Sequence, residues 1–198
     1  MISTCADKTI KVWRLDSNEQ LSDDDVIDHE HAKTVRCISF SKSGRFLALG
    51  SFDAKISIWS YSQGAFEYVT VLEGHESEVK YVDWHPTKDQ LATCSRDKTI
   101  WIWEFDENIE FQCEEVLTGH SQDVKMVKWV PGTNYQLVSA SYADTVKLCD
   151  CEDDEYFCKQ TLSDHTSTIW CICFSSDGKL LMSGSEDMSV KVYTRTSE

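Results

Sequence analysis

One short motif returns five times in this chain, and nothing else restricts its fold as strongly. It reads "ADKTIKVW" at 6–13, "FDAKISIW" at 52–59, "RDKTIWIW" at 96–103, "YADTVKLC" at 142–149 and "EDMSVKVY" at 186–193, with its last position recurring every 44 or 46 residues. A second marker keeps the same pace. His31, His75, His120 and His165 each stand four residues before Val35, Val79, Val124 and Ile169, and 22 or 23 residues before the turn position of the following motif. Two markers in register define repeated units, each too small to bury its apolar face alone and stable only when stacked on its neighbours.

Within a unit the pattern is four short strands. In the third, "EVKYVDW" (78–84), "QLATCS" (90–95), "TIWIW" (99–103) and "FQCEEVL" (111–117) are rich in β-branched and aromatic residues, and turn segments such as "HPTKD" (85–89) separate them. No window of twelve residues holds a 3.6-residue apolar period. An all-β fold is therefore expected, with strands near 35–40, 46–51, 56–60 and 67–72 and their repeats.

The glycine–histidine pair and the terminal tryptophan resemble the WD repeat, whose units are the four-stranded blades of a β-propeller. The resemblance implies a hydrogen-bonded network in each blade among the histidine, a second-strand Ser or Thr, the turn aspartate and the tryptophan. His75, Thr93, Asp97 and Trp103 match all four positions. Such a network makes physical sense, because a buried imidazole and a buried indole N–H both need partners. The other units depart from it. The His31 unit has Asp53 and Trp59 but Leu49 at the hydroxyl position, and the His165 unit has Ser183 and Asp187 but Tyr193 for the tryptophan. The His120 unit keeps Ser139 but has Ala143 for the aspartate and Cys149 for the tryptophan, with Asp144 one residue late, and it is expected to be the least stable.

The chain opens in what reads as the second strand of a blade and stops after a third strand. The expected organisation is a single propeller region over 1–198, with three complete four-stranded blades and two incomplete ones. The units are a partial blade at 1–30, blades at 31–74, 75–119 and 120–164, and a partial blade at 165–198. Whether five such units close or form an arc of a larger ring stays open at this level.

Charge narrows the partners. Nineteen Lys and Arg against 34 Asp and Glu leave −15 at neutral pH, with a pI near 4.7. That field repels nucleic-acid backbones and anionic membranes, so the expected partners are proteins, with no nucleic acid and no membrane. No segment approaches the roughly 18 apolar residues of a membrane span, and the N-terminus lacks the pattern of a secretory signal. The nine cysteines stand singly or in Cys-x-Cys pairs and read as reduced thiols of the cytoplasm or nucleus.

Cys149, Cys151 and Cys158, and Cys171 with Cys173, raise the question of a metal. Cys171 aligns with Cys37, Tyr81 and Met126, a position used for bulk, and metal-binding cysteines more often sit in Cys-x-x-Cys turns. No metal and no cofactor are expected, with a labile contact to a cluster as the weaker alternative. The repeated histidines belong to blade architecture, and no nucleophile–base pair or phosphate-cradling glycine loop stands out, so the chain is not expected to be an enzyme.

A narrower resemblance runs along the chain. "GSFDAKISIW" (50–59), "VTVLEGHESEVKYVDWHP" (69–86), "LATCSRDKTIWIWE" (91–104), "GHSQDVKMVKWVP" (119–131) and "SASYADTVKL" (139–148) resemble the WD-repeat proteins of cytosolic iron–sulfur protein assembly. That family has seven blades, of which this chain resembles the first five. The resemblance implies a non-catalytic scaffold of the cytosolic targeting complex that passes clusters to cytosolic and nuclear apoproteins. It also implies that Arg96 matches the family's functionally important surface arginine. Phe52, Tyr142 and Glu186 hold the same turn position in other blades and complete the expected partner-binding set. Where relatives carry Leu-Tyr-Arg, associated with recruiting the cluster-delivery cochaperone, this chain has Leu148-Cys149-Asp150, which removes both the aromatic and the cation.

The residues of the turn agree with a division of labour. Asp97 serves the blade, whereas Arg96 is expected to leave the turn toward solvent as a rigid cation with five donors in an acidic chain. Its plainer role is to neutralise Glu78. The competing function is that of a generic WD-repeat interaction module in another complex, since a propeller does not fix its function.

Overall fold

The computed structural model describes residues 1–29, 31–106, 108–153 and 155–195. All regular structure among them is antiparallel strand, arranged as five sheets. The first blade has three strands, Ile2–Thr4, Ile10–Leu15 and Leu21–Val26. The second runs Val35–Phe40, Phe46–Ser51, Ile56–Ser62 and Ala65–Leu72. The third runs Val79–Trp84, Gln90–Ser95, Ile100–Phe105 and Phe111–Leu117, and the fourth Val124–Trp129, Leu137–Ser141, Val146–Glu152 and Glu155–Leu162. The fifth again has three, Ile169–Phe174, Leu180–Ser185 and Val190–Thr194. The all-β propeller expected from the repeats, with three complete blades between two incomplete ones, is the fold.

Each blade is a plain meander, because strands adjacent in sequence pair with each other. Cohesion comes from between the sheets. Ile56 and Ile58 of the second blade are fully buried against Val79, Val82 and Leu91 of the third, and Ile100 and Ile102 of the third lie against Val124, Val127 and Leu137 of the fourth. Burying one such side chain contributes roughly 1.5–3 kcal/mol. A polar clamp reinforces the second of these seams: Lys128 Nζ lies 2.7 Å from Asp83 Oδ1, and the Trp129 backbone N–H donates to Asp83 Oδ2 at 3.0 Å. On the fifth blade the same register positions hold Val190 and Val192, which are 70% and 57% exposed.

An irregularity in the first strand of the second to fifth blades shapes the rest. Val79 pairs with Ser95 and Tyr81 with Cys94, so Lys80 is left without a partner in a β-bulge. The bulge lets Val79 and Val82, three residues apart, bury on one face where strict alternation would part them. The same shift leaves Arg36, Lys125 and Trp170 unpaired in the second, fourth and fifth blades.

Candidate functional site

The third blade holds its four sequence-matched residues in one chain of hydrogen bonds. His75 Nδ1 lies 2.7 Å from Asp97 Oδ2, His75 Nε2 lies 2.9 Å from Thr93 Oγ1, and Trp103 Nε1 donates to Thr93 Oγ1 at 3.0 Å. The Asp97 carboxylate also accepts the backbone N–H groups of Glu76 and Thr99, at 3.0 and 2.9 Å. Burial alone pushes the Asp97 carboxyl up, but the hydrogen bonds from His75 and Thr99 outweigh it and hold the group well below the usual carboxylate range. Gly74 precedes this histidine for a steric reason: the Trp101 ring stands where a Cβ on Gly74 would be.

The second blade corrects the expectation of a broken network. Leu49 occupies the hydroxyl column, but Ser57, directly opposite it on the next strand, supplies the oxygen. Ser57 Oγ lies 2.9 Å from His31 Nε2 and accepts Trp59 Nε1–H at 3.0 Å, while Asp53 Oδ2 lies 3.0 Å from His31 Nδ1. The fifth blade keeps His165 between Asp187 and Ser183, at 2.7 Å each. In the fourth, His120 Nε2 meets Ser139 Oγ at 2.7 Å, but its buried Nδ1 has no partner. Asp144 does not replace the missing carboxylate; it sits in the left-handed turn position with φ of 59°, held elsewhere by Ala54 and Lys98.

These networks pin a row of turns on one end of the molecule. The backbone N–H groups of Phe52, Arg96, Tyr142 and Glu186 donate to the carbonyls of Thr34, Glu78, Asp123 and Thr168, each just before its own blade's first strand. The second to fifth blades thus each present two side chains at the same end, one from the turn and one from the bulge. The bulge residues were not among the sequence candidates. Lys80 Nζ sits 4.2 Å from the centre of the Phe52 ring of the preceding blade, and Lys125 Nζ lies 4.9 Å from Tyr142 and 5.2 Å from Trp170 of the following one. Desolvation in this setting lowers the Lys80 pKa.

Arg96 stands in the middle of this arc with its side chain 58% exposed, one nitrogen 3.0 Å from Glu78 Oε1. Ser77, the backbone and Arg96 together hold Glu78 down at about 2, so the pair stays ionised. Tyr142 and Trp170 are each 52% exposed, Phe52 is half-buried, and Glu186 is exposed with Ser167 Oγ at 3.3 Å. Along the arc the cations Lys80, Arg96 and Lys125 alternate with the acids Glu78, Asp123 and Glu186, Lys125 Nζ lying 3.3 Å from Asp123 Oδ2, and interface hot spots are enriched in Arg, Tyr and Trp. The geometry suits docking of a protein surface. All nine cysteines are free thiols, and among the described residues no group of three or more His, Cys, Asp or Glu is arranged to hold a metal.

The meander sheets and the histidine–aspartate turns define a repeat β-propeller. Residues 26–60, 66–104, 111–150 and 156–194 match the WD domain, G-beta repeat family, and the chain belongs to it. Among curated proteins it is similar to a probable cytosolic Fe-S cluster assembly factor of Schizosaccharomyces japonicus, 42% identical over 96% of this chain and 30% of that one. It is 43% identical to the probable cytosolic iron-sulfur protein assembly protein 1 of Candida glabrata, over 86% of this chain and 53% of the relative. The protein of the same name in Candida albicans is 35% identical over 97% and 62%. The chain spans between about a third and about two thirds of the length of such relatives.

Proposed function

We propose that the chain is a non-catalytic scaffold in cytosolic iron–sulfur protein assembly. It binds partner proteins of the cluster-targeting complex through the arc of turn and bulge residues centred on Arg96, and it works in the cytoplasm and in the nucleus. The names of the relatives support the pathway. The observation that carries the site is the split within one turn: Asp97 is committed to the blade while Arg96, next to it, stands in the open between two cation–aromatic clusters, paired with Glu78. Phe52 and Tyr142 supply apolar area on either side, and Glu186 ends the arc with the opposite charge.

The test is capture of cytosolic iron–sulfur assembly components from extract by immobilised wild type and by Arg96→Glu, alongside melting curves for both. Reversal of an interfacial charge is expected to cost roughly 2–5 kcal/mol of affinity, whereas an exposed substitution shifts stability by within about 0.5 kcal/mol. Unchanged capture with a lowered melting temperature would make Arg96 a structural residue paired with Glu78. Capture of an unrelated complex in place of these components would favour the generic interaction module.

A further inference from the structure

In the second and third blades an indole fills the space beside the histidine, Trp59 and Trp103 each donating Nε1–H to a serine or threonine hydroxyl at 3.0 Å. In the fourth blade Cys149 takes that position, and its thiol is far too small for the space. What remains is a cavity of about 160 Å³ walled by Ile100, Leu117, His120, Ser139, Cys149 and Phe157. Four of these walls repeat the surroundings of the Trp103 indole, since Ile100, Leu117, His120 and Ser139 correspond in register to Ile56, Leu72, His75 and Thr93. The cavity is therefore the indole seat of the repeat with the indole removed.

Its chemistry is as specific as its shape. Ser139 Oγ has His120 Nε2 as a partner at 2.7 Å, and whichever of the two carries the proton, the hydroxyl keeps an unused lone pair. In the third blade that lone pair takes the tryptophan N–H. Thr118, Phe157 and Cys158 also border the cavity and are exposed, so it communicates with solvent. The lining is mixed, since Glu115, Lys147 and Tyr156 border it beside the apolar residues; an apolar void of about 150 Å³ takes up benzene, and this more polar, open cavity instead suits a ring that carries a donor for the acceptor at its base.

We propose that the cavity between the third and fourth blades is a binding site for a flat aromatic N–H heterocycle of the indole class. The ring lies between Ile100 and Leu117 on one side and Cys149 on the other, and its N–H donates to Ser139 Oγ. The site is independent of the Arg96 face and of any partner bound there.

Thermal melting of the whole chain with added indole tests this, using indene as the same shape without the N–H. Indole is expected to raise the melting temperature of the wild type in a concentration-dependent way and to bind about fivefold more tightly than indene, the usual worth of one hydrogen bond. Ser139→Ala should remove that preference while leaving a weak response to both. Cys149→Trp, with Cys149→Phe as a second filler should the first fold poorly, should abolish the response. No shift of the wild type at millimolar indole, or an equal shift of a filled variant that melts cooperatively, would overturn the proposal.

Discussion

The third and fourth blades share a topology and a turn geometry, and differ where Ala143 and Cys149 replace the aspartate and tryptophan of the network. In both, the turn is closed by the same bonds: Arg96 N–H to the Glu78 carbonyl and Tyr142 N–H to the Asp123 carbonyl, followed by Asp97 N–H to Ser95 Oγ and Ala143 N–H to Ser141 Oγ. The backbone thus reaches its form without the aspartate and without the tryptophan. What those two side chains add is satisfaction of buried polar atoms and filling of the seam. The third blade leaves no nitrogen of His75 unpartnered; the fourth leaves His120 Nδ1 orphaned and an indole-sized space empty. Fold is carried by strand patterning and inter-blade packing, and the network tunes how tightly each blade holds.

The largest separation between the two blades is expected on mild acidification. Burial, with a smaller push from Lys147, depresses the His120 pKa from 6.5 to about 4. Between those values the unfolded chain binds a proton that the folded blade refuses, so stability falls as pH falls. The contribution is complete above about 6.5 and gone below about 4, a swing on the order of 3 kcal/mol. Asp97, held below the ordinary carboxylate range, starts to lose its contribution only when pH falls below the ordinary 3.8, and loses it fully on passing its own lower pKa. Amide exchange at pH 7 and pH 5, corrected for intrinsic rates, should show Leu137–Ser141 and Val146–Glu152 losing protection before Gln90–Ser95 and Ile100–Phe105. Parallel loss in both blades would erase the distinction drawn from His120.

Next in size is the reverse experiment, converting the third blade toward the fourth. Asp97→Ala leaves His75 Nδ1 with only Thr99 Oγ1, at 3.3 Å, strands the N–H groups of Glu76 and Thr99, and should cost about 1–3 kcal/mol by denaturant unfolding. A cost near zero would mean that water replaces the carboxylate, and the ranking of blades by network completeness would fail.

Strand positions were legible because alternation and turn chemistry are local: the second blade's strands begin at residues 35, 46, 56 and 65 against an expected 35, 46, 56 and 67. Ser57 was missed because a linear alignment inspects the Leu49 column alone, whereas the imidazole can reach the facing strand at the same level. The bulge residues were missed for a different reason. Lys80 and Lys125 look like ordinary polar members of an alternating strand, yet Val79 and Val82 cannot share a buried face unless a residue between them is bulged out. That spacing recurs as Val35 with Ile38, Val124 with Val127 and Ile169 with Ile172, so a signal was present in the sequence. The Arg96–Glu78 pair was foreseen as the plainer role of the arginine, and the structure contains it together with an exposed guanidinium.

The smallest expected effect is a gain. Ala143→Asp places a carboxyl at the position from which Asp53, Asp97 and Asp187 reach their histidines, and the preceding turn bonds show the backbone already in the matching form. The new side chain would accept from His120 Nδ1, raising the depressed pKa of the imidazole and capping the turn. Against this stands the cost of bringing one more negative charge into a chain of −15, partly offset by Lys147 nearby. The net expectation is stabilisation of about 1 kcal/mol, with the acid sensitivity of the fourth blade shifted to lower pH. A rise in the denaturant midpoint without that shift would place the benefit in the turn and not in the histidine. A fall in the midpoint would mean that the desolvated carboxylate outweighs its new bond, and that the fourth blade tolerates the missing aspartate because its cavity, and not its histidine, limits its stability.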